Sequence, residues 1–196
     1  MISPEEIKKL RQDITFQKTL RDIPFIFHST WGLFSPRDID EGSLLLLTYI
    51  EIGKTNDCLD LGCGYGPLGL TMAKLAPEGT TTLVDRDFKA IEYSQKNADL
   101  NNIANVDILL SNGFDQIRDK KFDIIVSNIP AKVGNELMTL FFTDARRQLK
   151  PGGQVYVVTI NGLRDYIKRT FKEIFGNYKK LKQGKNYTVH TAEKVS

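Results

Sequence analysis

The chain has 196 residues, 41% hydrophobic and 26% charged, with a formal net charge of +3. That mix suits one globular domain and excludes a disordered chain, a collagen-like repeat and a disulfide scaffold. The charge alone is too small to mark a nucleic-acid binder, and the apolar run at residues 44–47 is far short of the roughly 20 residues a spanning helix needs, so no membrane partner is expected.

The chain opens with acidic residues where a secretion signal would be basic, and no apolar stretch follows. Residues 3–12 read as a helix, with Ser3 at the N-cap, Pro4 at N1 and Glu6 at N3 in a capping box. Residues 16–35, rich in Phe, Ile and Thr and containing Trp31, read as short strands or a hairpin running into Gly32-Leu33-Phe34-Ser35-Pro36. An amphipathic helix is expected over 40–50. Residues 1–50 thus form a lead-in arm, and 51–196 the core.

From residue 57 a regular alternation begins. Strands are expected at 57–61, 80–84, 106–110, 122–127 and 155–159. Helices fall between them at 68–76, 88–101 and 135–149, the last closed by Lys150-Pro151-Gly152-Gly153. Leu137, Met138, Leu140 and Phe141 read as the buried face of that helix. A basic helix runs to about Phe175. Runs 178–183 and 186–191, joined by Gly184-Lys185, read as a hairpin with a two-residue type II′ turn. The expected fold is α/β, doubly wound: a mostly parallel seven-stranded sheet with helices on both faces and a C-terminal antiparallel hairpin. Ligands in such sheets bind beyond the carboxyl ends of the strands.

The loop after the first core strand reads Asp60-Leu61-Gly62-Cys63-Gly64-Tyr65-Gly66-Pro67-Leu68-Gly69. Its glycines let the backbone turn tightly and approach a ligand closely. Gly64 to Gly69 is literally G-x-G-x-x-G, and Asp85 lies 21 residues after Gly64, where a nicotinamide dinucleotide would want a carboxylate for its ribose. Against that, the glycines begin earlier, at Gly62. Asp60 would repel a pyrophosphate and suit a ligand with a positive amino group. Cys58 and Cys63 match no zinc spacing and no metal site is expected; they read as reduced thiols, which implies a cytoplasmic location.

After the fourth core strand comes Ser127-Asn128-Ile129-Pro130-Ala131. Pro130 fixes its own φ and pushes Ile129 toward extended backbone. The Asn128 oxygen and a nearby carbonyl could then accept both hydrogens of a substrate amine. His28 and His190 are expected to be packed or solvated rather than catalytic.

Asp60 to Gly66 resembles the cofactor loop of class I S-adenosylmethionine-dependent methyltransferases. Residues 127–131 resemble the Asn-Pro-Pro-aromatic tetrapeptide of amino-group methyltransferases, with Ile129 for the first proline and Ala131 for the aromatic. The lead-in Gly32-Leu33-Phe34-Ser35 to Asp40-Glu41-Gly42-Ser43 and the final hairpin extend the resemblance to the methyltransferase small domain family of ribosomal RNA guanine-N2 methyltransferases, over about residues 30–192. The resemblance implies S-adenosyl-L-methionine as cofactor. It implies contacts from Asp60, Gly62, Gly64 and Gly66 to the methionine end, and from Asp85 and Arg86 to the ribose. Asn112 and Gly113 would meet the adenine, with Phe34 from the lead-in, and Asn128, Ile129 and Pro130 would form the catalytic turn. Trp31 or Phe34 could replace the missing aromatic. The implied activity is methylation of an RNA nucleobase amine. A dinucleotide oxidoreductase and a non-catalytic nucleic-acid-binding relative stay open beside it. Residues 164–185 carry a net +6, from Arg164, Lys168, Arg169, Lys172, Lys179, Lys180, Lys182 and Lys185 against Asp165 and Glu173, so an RNA contact is expected there. The chain is expected to act as a monomer or homodimer.

Overall fold

A computed structural model describes residues 2–195; Met1 and Ser196, the outer ends of the two expected units, lie outside it. Helix α1 (Pro4–Leu10) starts at the expected capping box, with the Glu6 amide donating to Ser3 Oγ and the Ser3 amide to Glu6 Oε2. It buries no residue. Strands β1 (Ile14–Leu20) and β2 (Ile23–Ser29) pair antiparallel around Arg21-Asp22. Both turn residues have positive φ, 51° and 63°, the twist a two-residue hairpin needs. The hairpin therefore ends at Ser29, and residues 30–40 are a loop rather than strand. Asp40 caps helix α2 (Glu41–Tyr49) by accepting from the Ser43 amide at 3.1 Å.

The core alternates β3 (Cys58–Leu61), α3 (Pro67–Leu75), β4 (Thr81–Asp85), α4 (Phe88–Leu100), β5 (Val106–Leu110), β6 (Phe122–Asn128), α5 (Asn135–Gln148), β7 (Leu149–Ile160), α6 (Arg164–Phe175), β8 (Lys179–Gln183) and β9 (Tyr187–Glu193). The seven core strands lie in the order β5-β4-β3-β6-β7-β9-β8, parallel from β5 to β7, with β9 antiparallel to both its neighbours. One hydrophobic cluster joins α2, α3, α4 and the β1–β2 hairpin to one face of the sheet; a second joins α5 and α6 to the other. The lead-in residues Leu20, Phe25, Phe27 and Leu46 share the first cluster with the core strands. This is the doubly wound sheet the alternation implied.

Three local expectations are corrected. Pro151-Gly152-Gly153 does not separate a helix from a strand; β7 runs through it. Gly152 has φ +78° and its amide donates to Lys194 O, while a side chain on Gly153 would stand 2.9–3.0 Å from three carbonyls. The glycines make a bulge, visible as a register shift between Phe122 and Ile124. The β8–β9 loop is residues 184–186, closed by the Gly184 amide on Tyr187 O, and Gly184 is not in the left-handed region. The loop is thus one residue longer than expected, and its turn is not type II′. Of the expected buried face of α5, Met138 is buried and Phe141 half-buried, but Leu137 and Leu140 are 39% and 60% exposed; Phe142 and Ala145 complete the row that the 3.6-residue period turns inward. Among the described residues no helix is long and apolar enough to cross a membrane, and no group of three His, Cys, Asp or Glu is placed to hold a metal.

Candidate active site

The chain leaves β3 at the point where strand order reverses: β4 and β5 lie to one side, β6 and β7 to the other. Crevices at such points are where open α/β sheets bind ligands. The carboxyl ends of β5, β4, β3 and β6 bring Asn112, Asp85, the glycine loop and Asn128 to one edge of the sheet.

The loop is suspended from β4. Gly62 and Cys63 amides both donate to Val84 O, at 2.8 and 3.0 Å. The Gly64 amide donates to Asp85 Oδ2 at 2.9 Å, and Asp85 Oδ1 accepts from the Asp87 amide. Gly62, Gly64 and Gly66 have φ of +79°, +57° and +96°, a region L side chains rarely adopt. A Cβ on Gly62 or Gly64 would still meet nothing within 4 Å, so these two face open space. Gly69 differs: its Cβ would lie 2.4 Å from Leu83 Cγ, because α3 packs directly on β4.

Asp60 is fully buried beneath the loop. Its Oδ2 accepts from the Gly69 amide at 2.7 Å, and its Oδ1 has no partner. Burial pushes its carboxyl up to about 7, with the Gly69 amide opposing and the nearby Asp85 charge adding to the rise. As it stands it clamps the α3 N-terminus and offers no exposed surface to a ligand amine. Arg86, Asn112 and Phe34 are exposed around the loop, Phe34 at 67%. Gly113, with φ +60°, lies where a Cβ would be 3.0 Å from the Phe141 ring. Trp31 is 59% exposed, so neither it nor Phe34 belongs to the core.

Asn128 ends β6 half-buried. Its Nδ2 donates to Asp40 Oδ2 at 2.7 Å and to Ser43 Oγ at 3.0 Å. The Ile129 side chain is buried and its amide donates to Val158 O, while Pro130 is exposed and its carbonyl accepts from the Val133 amide at 3.2 Å. Ala131 is exposed.

Sequence reasoning missed the residues that hold these loops together. Tyr65 donates its hydroxyl to the Ser35 and Asp38 carbonyls, joining the glycine loop to the lead-in loop. Buried Asn97 donates to the His28 and Tyr65 carbonyls and accepts from the His28 amide, joining the hairpin to the same loop. Ser94 donates to Gly64 O. An amide on the apolar face of α4 was the available signal for Asn97. His190 is buried between Thr159 and Tyr178 hydroxyls, and burial lowers it to about 4, so it is packed and neutral at pH 7. Cys58 and Cys63 are buried free thiols, Cys58 pushed up to about 12 by burial.

The eight basic residues do not form one patch at this edge. Arg164, Lys182 and Lys185 lie at the sheet end that carries Asn128: α6 starts just beyond β7, and the 184–186 loop is tied by Asn161 to β7 and by Asn186 to Glu41. Lys172 and Lys179 lie at the opposite end. Lys179, Lys180 and Lys182 line the edge strand β8, where charge also blocks edge-to-edge pairing.

The methyltransferase small domain family matches residues 24–191. The uncharacterized protein YbxB of Bacillus subtilis (strain 168) is 32% identical over 193 residues, covering 96% of this chain and 94% of that protein. Ribosomal RNA small subunit methyltransferase C of Buchnera aphidicola (subsp. Baizongia pistaciae) is 31% identical over 166 residues, 82% of this chain and 50% of that protein. In structure, the T. thermophilus 16S rRNA N2 methyltransferase (RsmC) in complex with AdoMet and guanosine superposes with a TM-score of 0.84 at 29% identity, over 92% of this chain and 50% of that one. The chain thus spans nearly all of YbxB and about half of the ribosomal RNA methyltransferases it matches.

Proposed function

Because this chain belongs to the methyltransferase small domain family, we propose that it transfers a methyl group from S-adenosyl-L-methionine to an exocyclic amine of an RNA nucleobase, with an rRNA guanine N2 as the target class. One observation carries the reading. An open glycine cradle and an amide with its NH₂ already engaged sit side by side at the switch point of the sheet.

The residues fit the cofactor. Gly62 and Gly64 present bare backbone with open space where side chains would stand. Asp85 stands at a strand end for two ribose hydroxyls, with Arg86 beside it. Asn112 and Gly113 lie one strand further for an adenine edge, and Phe34 can cover the cradle from the lead-in. The buried, unpartnered Asp60 Oδ1 is an acceptor that a cationic amine or an ordered water would satisfy. The bound cofactor supplies an electrophilic methyl group on a sulfonium. The chain supplies position. Asn128 Oδ1 accepts one N–H of the target amine, and a carbonyl of the Ile129-Pro130 turn accepts the other; a carbonyl has two lone pairs, so Pro130 can serve despite its bond to Val133. The amine lone pair then faces the methyl group, and proximity and orientation lower the barrier.

Exposed Phe34 and Trp31 are the aromatics available to stack on a base in place of Ala131. Arg164, Lys182 and Lys185 can meet RNA phosphates beside the site. That edge grips RNA, and the chain acts as a monomer or homodimer in the cytoplasm, where its substrate is found. A binding-only role would rest on Ile129 and Ala131, yet Ile129 is packed with its amide on Val158, which leaves the turn's backbone in place. The G-x-G-x-x-G geometry of Gly64 to Gly69 suits a dinucleotide too, but the family match supports the methyltransferase reading. Calorimetry separates them: S-adenosylhomocysteine should bind and NADH should not. NADH binding without S-adenosylhomocysteine binding would return the oxidoreductase reading.

A further inference from the structure

We infer that Asp40 is a positioning residue for the acceptor amine, acting through Asn128; the inference rests on the role of Asn128 proposed above. A side-chain amide is nearly symmetrical in shape. A half-turn exchanges its oxygen and its NH₂ with little change in packing, so only its partners decide which end faces a substrate. At Asn128 the deciding partner is Asp40 Oδ2, at 2.7 Å from Nδ2. Ser43 Oγ, at 3.0 Å, could donate or accept; an ionised carboxylate can only accept. Flipping the amide would press Asn128 Oδ1 against that carboxylate.

Asp40 is itself held from three sides. Its Oδ2 takes the Ser43 amide as the cap of α2, its Oδ1 takes the Tyr187 hydroxyl at 3.1 Å, and Gly42 leaves it room. A Cβ on Gly42 would stand 2.8 Å from Asp40 Oδ2 and 3.0 Å from the Tyr187 ring. The start of α2, the end of β6 and the start of β9 therefore converge on one carboxylate. Its effect is to leave Asn128 Oδ1 as the amide atom that meets the substrate. Without it the amide populates both orientations, and one of them sets donor against donor.

Asp40→Ser tests this, because serine retains a cap oxygen for the Ser43 amide but is too short to hold Asn128. In labelled methyl transfer to ribosomal RNA, kcat should fall about 100-fold with KM within about 3-fold. S-adenosylhomocysteine affinity should change little, which shows that the variant is folded. In an Asn128→Ala background the same change should cost less than about 3-fold, since the group it acts through is gone. Asp40→Asn, which can keep an acceptor at the Oδ2 position, should recover about 10-fold of the loss. Side-chain amide NMR gives a readout independent of turnover: the Asn128 NH₂ protons should exchange slowly in the native protein and quickly in Asp40→Ser. Full activity of Asp40→Ser, or an equal loss in both backgrounds, would overturn the inference while leaving Asn128 in its role. An Asn128→Ala variant as active as the native protein, or a native protein that transfers nothing, would remove the reading and the inference together.

Discussion

Replacing Asp60 by Asn should stabilise the ligand-free protein at alkaline pH and weaken its ligand. The carboxyl is fully buried, one oxygen has no partner, and its pKa is pushed up from 3.8 to about 7, chiefly by burial. A carboxyl raised in the folded state keeps its full contribution below the unfolded pKa and loses it as pH rises through the folded one. At about 1.4 kcal/mol per pH unit, the native protein gives up about 4 kcal/mol by pH 8 and under 2 kcal/mol by pH 5. Asn is not charged, but its bond from the Gly69 amide is weaker and its NH₂ takes the unpartnered place, which together cost about 2–3 kcal/mol. The net is a gain of about 2 kcal/mol at pH 8 that disappears or reverses near pH 5. For a chain this long that is about 4–8 °C in melting temperature at pH 8. Thermal melts at pH 5, 6, 7 and 8, with and without S-adenosylhomocysteine, read it. The variant should melt higher alone and gain less from the ligand. A loss of stability at pH 8, or a gain that does not change with pH, would refute the view of Asp60 as a carboxyl that burial makes costly to ionise.

Asn128→Ala should lower methyl transfer at least about 100-fold while S-adenosylhomocysteine affinity in calorimetry stays within about 3-fold, because the residue faces the acceptor rather than the cradle; a large affinity loss would contradict that placement. Gly69→Ala forces its Cβ toward Leu83 and should cost about 1–3 kcal/mol, seen as a lower melting temperature, and should weaken ligand binding because the bond to Asp60 moves with α3; an unchanged melt would contradict the close packing. The triple change Arg164→Ala, Lys182→Ala, Lys185→Ala should reduce the slope of log affinity for single-stranded RNA against log salt by about 2, whereas changing Lys172 and Lys179 together should leave it nearly unchanged. Equal effects from both sets would mean the two sheet ends do not differ in contacting RNA.

The fold was legible because Pro and Gly punctuate the chain where elements meet and the apolar runs are short and evenly spaced. Pro67, Asp87 and the glycines after β3 sit at element ends as their chemistry requires. Pro151-Gly152-Gly153 misled because the same residues serve a turn or a bulge, and only the neighbouring β6 and the segment after β9 decide between them. Leu137 and Leu140 misled because leucine type says less than helical phase. In the site, the glycine loop, Asp85 and the Asn128 turn were legible because each is a short contiguous signal at the end of a strand. The partners that orient them were not. Asp40 and Asn128 are 88 residues apart, Asp40 and Tyr187 147 apart, and such contacts exist only once the sheet has formed. The basic stretch was legible as charge but not as surface, since one helix and one edge strand spread it over both ends of the sheet.

The central claim, methyl transfer to an RNA amine, is tested most directly by incubating the purified protein with S-adenosylmethionine labelled in its methyl group. Cellular RNA, protein and metabolites would be offered as separate fractions, and the labelled RNA digested to nucleosides. Label should appear in ribosomal RNA, recovered as a guanosine methylated on its exocyclic amine. Label confined to the protein or metabolite fraction, or no label in any fraction from a protein that binds S-adenosylhomocysteine, would contradict it.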